Sequence, residues 1–131
     1  MGKSELFASS RYLNDHAGTI GKGKYLIFGY PERCINHSCD PNVFEYKRKV
    51  IAMRNIKNGE EITFDYSICS IDDWRMKCHC GSQNCRKTVR GNFFKLPQKL
   101  QIEYLPYLDE WFKKEFNKKL NQLKCAKITA H

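Results

Sequence analysis

Three cysteines close together in the sequence are the clearest candidates for chemistry in this chain. Cys78, Cys80 and Cys85 follow the pattern C-x-C-x4-C, which brings three thiols into one short loop. A structural Zn²⁺ is usually held by four ligands in a tetrahedron, with Zn–S distances of about 2.3 Å. The pattern therefore predicts a zinc site that lacks one ligand, for which Cys69 and His79 are the local candidates. The alternative is a loop of three free thiols.

A second group of polar side chains lies on a loop further upstream. Residues 40–42 (Asp-Pro-Asn) must turn, because proline fixes its own φ and disfavours the helical region for the residue before it. Asn36, His37 and Cys39 are therefore expected on a bent loop, where functional groups often lie. The alternative is a turn in which Asn36 and His37 only bond the backbone.

Aromatic side chains follow in a short alternating stretch. From residue 61 to 67, apolar or aromatic residues alternate with polar ones, which predicts a strand with Phe64 and Tyr66 on one face. Two rings on one face would form one wall of a pocket. The alternative role for Tyr66 is cross-strand packing, and Asp65 and Glu61 are expected to serve the fold.

These three blocks, in this order, resemble the C-terminal half of the SET domain of protein-lysine methyltransferases. Residues 33–42 (RCINHSCDPN) are similar to the family's R-F-I-N-H-S-C-x-P-N loop, with Cys34 in place of the usual aromatic residue. Residues 59–66 (GEEITFDY) are similar to its G-E-E-L/I-T-F-D-Y strand, and residues 78–85 to its post-SET zinc motif. The resemblance covers about Tyr25 to Arg86.

The resemblance implies S-adenosylmethionine-dependent N-methylation of a lysine side chain in a histone tail or another basic protein. Tyr66 would be the catalytic residue that orients the amine and the methyl group. Phe64 and Trp74 would line the substrate channel, although Trp74 is equally compatible with a packed linker aromatic. The cofactor-binding residues implied are Arg33, Asn36, His37, Tyr66, Cys78 and His79. The zinc ligands implied are Cys39, Cys78, Cys80 and Cys85, so that the metal would pin the loop to the cysteine knot.

Methyl transfer of this kind requires a neutral lysine amine, an aligned methyl donor and a dry channel. A free lysine has a pKa of about 10.4, and desolvation beside aromatic rings and a positively charged cofactor lowers it. No strong general base is needed, and none is evident. Because Phe64 has no hydroxyl group to hold a water, the resemblance implies room for a second or third methyl group.

The amino-acid composition is typical of one globular domain. The chain has 131 residues, of which 41% are hydrophobic and 13% aromatic. Its sequence contains no apolar run of membrane-spanning length and no signal peptide. We therefore expect no membrane association and an intracellular location, which is the cytoplasm in a bacterium and the nucleus or cytoplasm in a eukaryote. The seven cysteines should then be reduced or metal-bound, with Cys34, Cys69 and Cys125 as reduced, mostly packed thiols.

Positive charge is concentrated towards the C terminus. The net charge is +9; residues 86–131 carry eleven Lys/Arg against four Asp/Glu, and the first 85 residues carry twelve against ten. A basic segment of this kind could contact nucleic acid or the nucleosome surface. The alternative is a solvated helix face.

The patterning predicts a mainly β fold with short helices, which the resemblance specifies as a SET-like β-clip of small sheets with a knotted loop. Predicted strands cover residues 25–30, 42–49 and 49–56, followed by a hairpin turn at Asn58-Gly59. Residues 68–77 are expected as a linker and 86–95 as irregular. A helix should start after Pro97, break at Pro106 and continue as one amphipathic helix over residues 108–123.

Four segments follow from this organisation. They are an N-terminal arm or loop (1–24), the C-terminal part of a SET domain (25–77), a post-SET zinc segment (78–95) and a basic helical tail (96–131). Within this segment, residues 6–13 could form a short helix or an extended arm, and residues 18–24 are expected as a loop. The family's N-terminal half, with its cofactor-binding G-x-G turn, is not recognisable. A zinc-stapled interaction module without catalysis is therefore the alternative to an enzyme.

Overall fold

The structure, a computed structural model, describes residues 4–5, 17–27 and 29–129. Within these ranges short strands form four small sheets, and helices occupy the C-terminal part. The strands are β1 (Ser4–Glu5), β2 (Ala17–Gly21), β3 (Lys24–Ile27), β4 (Asn36–His37), β5 (Val43–Tyr46), β6 (Lys49–Ala52), β7 (Thr63–Phe64), β8 (Ile71–Lys77) and β9 (Thr88–Asn92). The helices are α1 (Gln98–Tyr104), α2 (Glu110–Glu115) and α3 (Asn117–Thr129), with 3-10 turns at Glu32–Cys34, Phe93–Lys95 and Leu105–Tyr107. The prediction of a mainly β fold with short helices is confirmed.

One sheet differs from the others because its two strands run parallel. In the antiparallel sheets, β3 lies between β1 and β2, β5 pairs with β6, and β8 pairs with β9. In the parallel sheet, β4 pairs with β7, so that Asn36 lies opposite Thr63 and His37 lies opposite Phe64. This pairing brings the loop at residues 36–39, called here the Asn-His loop, against the stretch 61–67 that carries Phe64 and Tyr66.

The parallel pairing overturns the hairpin prediction at Asn58-Gly59. Gly59 does occupy a turn, with φ of +85°, but the chain does not fold back onto β6. The reason is Asn42, which is 2% exposed. Its side-chain oxygen accepts from the Thr63 N–H at 2.9 Å, and its amide donates to the Glu61 carbonyl at 2.8 Å. These bonds hold residues 61–63 against the Asn-His loop instead.

Two further segments are more regular than their sequences indicate. The predicted linker 68–77 contains β8, and the predicted irregular segment 86–95 contains β9. Much of β8 is exposed, including Trp74, so it lacks the apolar alternation that marks a strand. Its extended form comes from pairing with β9, a contact that local patterning does not encode. The predicted loop 18–24 likewise includes the end of β2 and the start of β3. The prediction for residues 6–13 lies outside the described residues.

The C-terminal helices supply most of the larger of the two hydrophobic cores found among the described residues. The chain turns at Pro106 as predicted, but the expected single helix over 108–123 is divided at Phe116 into α2 and α3. Phe93 and Phe112 are fully buried, with ring centroids 5.4 Å apart, and each contributes about 2–3 kcal/mol through the area it buries. The buried members of this core are Phe93, Leu96, Tyr104, Leu108, Phe112, Leu120 and Leu123.

Polar contacts attach these helices to the sheets. The Asp109 carboxylate accepts from the Lys47 N–H, at 3.2 Å to each oxygen, and from the Glu110 N–H that opens α2. The Tyr46 hydroxyl donates to Glu110 Oε1 at 2.8 Å. The C-terminal segment is therefore packed on the domain.

Replacing Asp109 by alanine should lower the free energy of unfolding by about 1–3 kcal/mol, because the buried carboxylate satisfies backbone donors in both α2 and the β5–β6 turn. Chemical denaturation measures this directly. Asp73→Ala, at an exposed position of β8, is the control and should change stability little. Equal stability of the two variants would show that Asp109 does not attach the helices.

Candidate active site and metal centre

The Asn-His loop wraps the strand that carries the aromatic residues. Beyond the β4–β7 pairing, the Ser38 N–H donates to the Phe64 carbonyl and the Asn42 N–H to the Thr63 carbonyl, both at 3.1 Å. Residues far apart in sequence are therefore fixed within hydrogen-bonding distance.

Tyr66 lies at the centre of this arrangement. Its hydroxyl donates to the Ile35 carbonyl at 2.7 Å, and its backbone N–H donates to His37 Nδ1 at 3.0 Å. Burial raises the pKa of the Tyr66 hydroxyl, so it is neutral at pH 7. Because its proton is given to Ile35, the oxygen lone pairs of Tyr66 remain available to an incoming N–H group.

Aromatic rings surround Tyr66. The centroid of its ring lies 4.8 Å from that of Phe64, 5.3 Å from that of His37 and 6.5 Å from that of Trp74. The Trp74 indole lies directly on Gly91, where an added Cβ would overlap it. Phe64 and Tyr66 thus share one wall, as their alternation predicts, and β8 adds Trp74 to it.

His37 joins this wall to the cysteines. Since its Nδ1 accepts from Tyr66, a neutral ring carries its proton on Nε2, which lies 3.4 Å from Cys39 Sγ. Asp65 Oδ1 lies 3.6 Å from Nδ1 and would raise the pKa of His37, but burial outweighs it and the net pKa is lowered. A neutral imidazole is therefore the form that fits these contacts.

Asp65, next to Tyr66, is fully buried and accepts hydrogen bonds from three residues, two of which belong to other segments of the chain. The Arg86 guanidinium donates to both carboxylate oxygens, at 2.8 and 2.9 Å. The Tyr104 hydroxyl donates to Oδ2 at 2.8 Å and the Ser67 N–H to Oδ1 at 2.9 Å. For Arg86, burial alone would lower the pKa, but the hydrogen bonds and the charge of Asp65 have the larger effect, so the pKa is raised. The pKa of Tyr104 is also raised, by burial and by Asp65. Both donors therefore keep their protons at pH 7.

Sequence reasoning assigned Asp65 to the fold without finding its partners. Arg86 follows the cysteine motif and Tyr104 lies in α1, so neither is marked by local pattern. The only available signal was indirect: a buried acidic residue requires a cationic or hydroxyl partner somewhere in the chain.

Four cysteines converge beside the wall. The Sγ atoms of Cys39, Cys78, Cys80 and Cys85 all lie within 4.8 Å of one another, and Cys39 Sγ lies 3.9 Å from Cys78 Sγ. A tetrahedral site with Zn–S bonds of about 2.3 Å has sulfur–sulfur edges of about 3.8 Å, so the donor set and its spacing suit such an ion. The cluster could hold a metal ion; its identity as zinc remains a prediction.

The two local candidates for the fourth ligand lie elsewhere. Cys69 Sγ accepts from the Asp109 N–H at 3.3 Å, and His79 is exposed on the loop after Cys78. Cys34 and Cys125 are exposed, so the expectation that they are packed thiols is wrong.

Hydrogen bonds prepare some of the cluster sulfurs for negative charge. The Arg86 N–H donates to Cys39 Sγ at 3.3 Å, and the Ser82 hydroxyl lies 3.1 Å from Cys80 Sγ. Burial raises the pKa of Cys39 to about 12 in the absence of a cation. For Cys80, hydrogen bonds led by Ser82 outweigh the effect of burial and lower the pKa to about 5. Binding of a metal ion would therefore displace protons from the other thiols.

The remaining predicted site residues are more exposed. Arg33 lies on the exposed 3-10 turn before the loop, and Asn36 is exposed while its amide donates to Glu61 Oε2 at 2.9 Å. The structure brings His37, Phe64, Tyr66 and Trp74 together through ring contacts, and joins them to the cysteines through His37 and Cys39. The roles of all these residues stay predictions.

Comparison with known proteins agrees with the motifs. A family model described as the SET domain matches residues 5–67. This part of the chain belongs to the SET-domain family. The match begins at residue 5, whereas the resemblance based on motifs begins at about Tyr25. The family model therefore also covers residues 5–24.

Several proteins named as histone-lysine N-methyltransferases are similar to part of this chain. Human histone-lysine N-methyltransferase 2D is 46% identical over 70 residues, covering 47% of this chain and 1% of that protein. Human histone-lysine N-methyltransferase SETD1B is 42% identical over 90 residues, covering 63% and 4%. The Candida albicans enzyme named histone-lysine N-methyltransferase, H3 lysine-36 specific, is 40% identical over 67 residues, covering 45% and 8%. The chain thus aligns with less than a tenth of each relative's length.

The length and hydropathy of the described helices bear on whether any of them could span a membrane. None of the helices within the described residues is both long and apolar enough to cross a membrane.

Metal analysis of serine variants should test the cysteine cluster. The wild-type chain should bind one zinc per molecule, and Cys39→Ser or Cys85→Ser should lose most of it, since three thiolates make an incomplete tetrahedron. Cys34→Ser and Cys125→Ser are matched controls that remove thiols outside the cluster and should retain the metal. Full zinc binding by Cys39→Ser would exclude Cys39 as a ligand.

Proposed function

We propose that this chain carries the active-site half of an S-adenosylmethionine-dependent protein-lysine N-methyltransferase. The observation that carries the proposal is the Tyr66 hydroxyl, which donates to Ile35 within an aromatic wall, in a segment of SET-domain sequence. The oxygen lone pairs of Tyr66 would accept a hydrogen bond from the substrate amine and so fix its direction.

The wall would also change the charge state of the substrate. A lysine amine beside Phe64, Tyr66 and Trp74 loses hydration, which disfavours its charged form and lowers its pKa from about 10.4. A larger fraction of the amine is then nucleophilic at pH 7. Holding that amine at attack distance supplies much of the remaining acceleration.

S-adenosylmethionine would supply the methyl group on a positively charged sulfur, and this chain would contribute one side of its site. The exposed Asn36 has polar atoms that can reach a ligand, and Arg33, Cys78 and His79 are the other predicted contacts. His37 differs, because Nδ1 accepts from Tyr66 and Nε2 faces Cys39. It would therefore contact the cofactor through its backbone or ring face. We infer that the cysteine cluster holds structural Zn²⁺ and keeps Cys78 and His79 in place.

An acidic crevice beside the wall suits a basic substrate. It is narrow, and its lining includes Ile35, Val43 and Phe64 together with Glu32 and Glu45. Apolar sides with carboxylates match a lysine or arginine side chain, which has an alkyl stem and a charged head. We infer a lysine-bearing protein substrate, such as a histone tail, and an intracellular location, nuclear or cytoplasmic in a eukaryote and cytoplasmic in a bacterium.

Transfer of a labelled methyl group to histones and other lysine-rich proteins should separate this proposal from a non-catalytic zinc module. Tyr66→Phe should lower the rate at least tenfold, because a misplaced amine costs up to about a hundredfold. Mass spectrometry of the wild-type product should show di- or trimethyl-lysine. Tyr107→Phe, at a ring that packs on Phe44, is the control and should keep wild-type activity. Equal rates for wild type and Tyr66→Phe would remove Tyr66 from catalysis, and no transfer by a zinc-loaded chain would favour the interaction module.

We further propose that the C-terminal helices contact nucleic acid, including nucleosomal DNA. An open groove runs along α2 and α3, with Lys113, Lys124 and Lys127 above an apolar floor that includes Leu108 and Leu120. Helix α3 contains four lysines and no acidic residue. Lys113 is partly neutralised by Glu110 at 3.0 Å, so Lys124 and Lys127 would make the main phosphate contacts.

The salt dependence of DNA binding tests this second proposal. Each lost phosphate contact should reduce the slope of log K against log salt by about 0.9, so Lys124→Gln with Lys127→Gln should reduce it by about 2. A control pair, Lys49→Gln with Lys57→Gln, removes equal charge from exposed positions outside the groove. Equal slopes for the two pairs would show that only net charge matters.

A further inference from the structure

We propose that Tyr104, in helix α1, is a positioning residue for the active site and acts through Asp65 on Tyr66. The inference rests on the proposed methyltransferase function, and it extends the active-site support into the C-terminal helices. Tyr104 lies outside the stretch that matches the SET family model.

The bond between Tyr104 and Asp65 is fully enclosed. The Tyr104 hydroxyl donates to Asp65 Oδ2 at 2.8 Å, and the two residues are 5% and 0% exposed. Water cannot readily replace this donor if it is removed. A buried carboxylate that loses one of its donors reorients towards those that remain.

Asp65 is coupled directly to the backbone that carries Tyr66. Its Oδ1 accepts from the Ser67 N–H at 2.9 Å, and its carbonyl accepts from the Ile68 N–H at 3.1 Å. Together these bonds close a turn around Tyr66, whose own N–H points at His37. A change in the Asp65 carboxylate therefore moves the peptide groups on both sides of Tyr66.

Tyr104 can hold Asp65 firmly because its own helix is fixed. It belongs to the hydrophobic core that contains Phe93, Leu108 and Phe112. Close-packed cores transmit displacement instead of absorbing it. The ring of Tyr104 therefore has a defined position, and its hydroxyl sets the position of Asp65.

The chain supplies a control with the same donor, the same acceptor group and the same bond length. The Tyr46 hydroxyl donates to Glu110 Oε1, also at 2.8 Å, and it also joins the helices to a sheet. It does not contact Asp65. Tyr104→Phe and Tyr46→Phe thus each remove a hydroxyl that donates to a carboxylate, from a buried bond in Tyr104→Phe and from a partly exposed bond in Tyr46→Phe.

The experiment compares these two variants in the zinc-loaded, full-length chain well below its melting temperature. Steady-state methyl transfer should show kcat lowered about tenfold in Tyr104→Phe with KM values within about twofold, because alignment of bound groups is lost. Tyr46→Phe should keep the wild-type kcat. Amide hydrogen exchange measured by NMR should rise about tenfold at Tyr66 in Tyr104→Phe only.

The two measurements, kcat and amide exchange at Tyr66, distinguish the possible outcomes. If both variants lose stability but keep the kcat and Tyr66 exchange of the wild type, Tyr104 is merely structural and the inference is wrong. If the wild type transfers no methyl group, the proposed function fails. The amide exchange rate at Tyr66 then decides by itself whether Tyr104 positions Tyr66. Unchanged Tyr66 exchange in Tyr104→Phe would overturn the inference in either case.

Discussion

The fully buried carboxylate of Asp65 is the constraint on which the described structure depends. Removing a charged carboxylate from water costs several kcal/mol unless a cation and hydrogen-bond donors replace the lost hydration. Here Arg86 supplies the cation, and Tyr104 and Ser67 supply further donors. Arg86 follows the cysteine motif and Tyr104 belongs to the C-terminal helices. The strand with the aromatic residues, the cysteine segment and the helices must therefore come together for Asp65 to be satisfied.

This requirement links the metal centre to the aromatic wall. Arg86 binds Asp65 through its side chain and Cys39 Sγ through its backbone N–H. His37 makes a second link, between Cys39 and the backbone of Tyr66. A metal ion held by the four cysteines would therefore stabilise the segment around Tyr66 without touching it. The arrangement explains how small sheets with few buried side chains can support a defined site.

Much of the site could be predicted from sequence, because its parts are short motifs with local geometry. The turn at Pro41 and the alternation of Phe64 and Tyr66 indicate where the loop and the rings lie. The parallel pairing of β4 with β7 could not be predicted, since Asn58-Gly59 suggests a hairpin, and the bonds from the distant Asn42 and Ser38 that hold residues 61–64 elsewhere are non-local. Strand β8 and the partners of Asp65 were missed for the same reason: they depend on non-local contacts that leave no period in the sequence.

Hydrogen–deuterium exchange of Asp65→Asn in the zinc-loaded chain tests the central claim most directly. The substitution keeps the shape of the side chain but removes its charge. If Asp65 joins three segments, exchange should rise together in the Asn-His loop (36–39), in β8 and β9 (71–92) and in α1 (98–104), with smaller changes in the β5–β6 hairpin. A rise confined to residues 63–69, with the other segments as protected as in the wild type, would contradict the account.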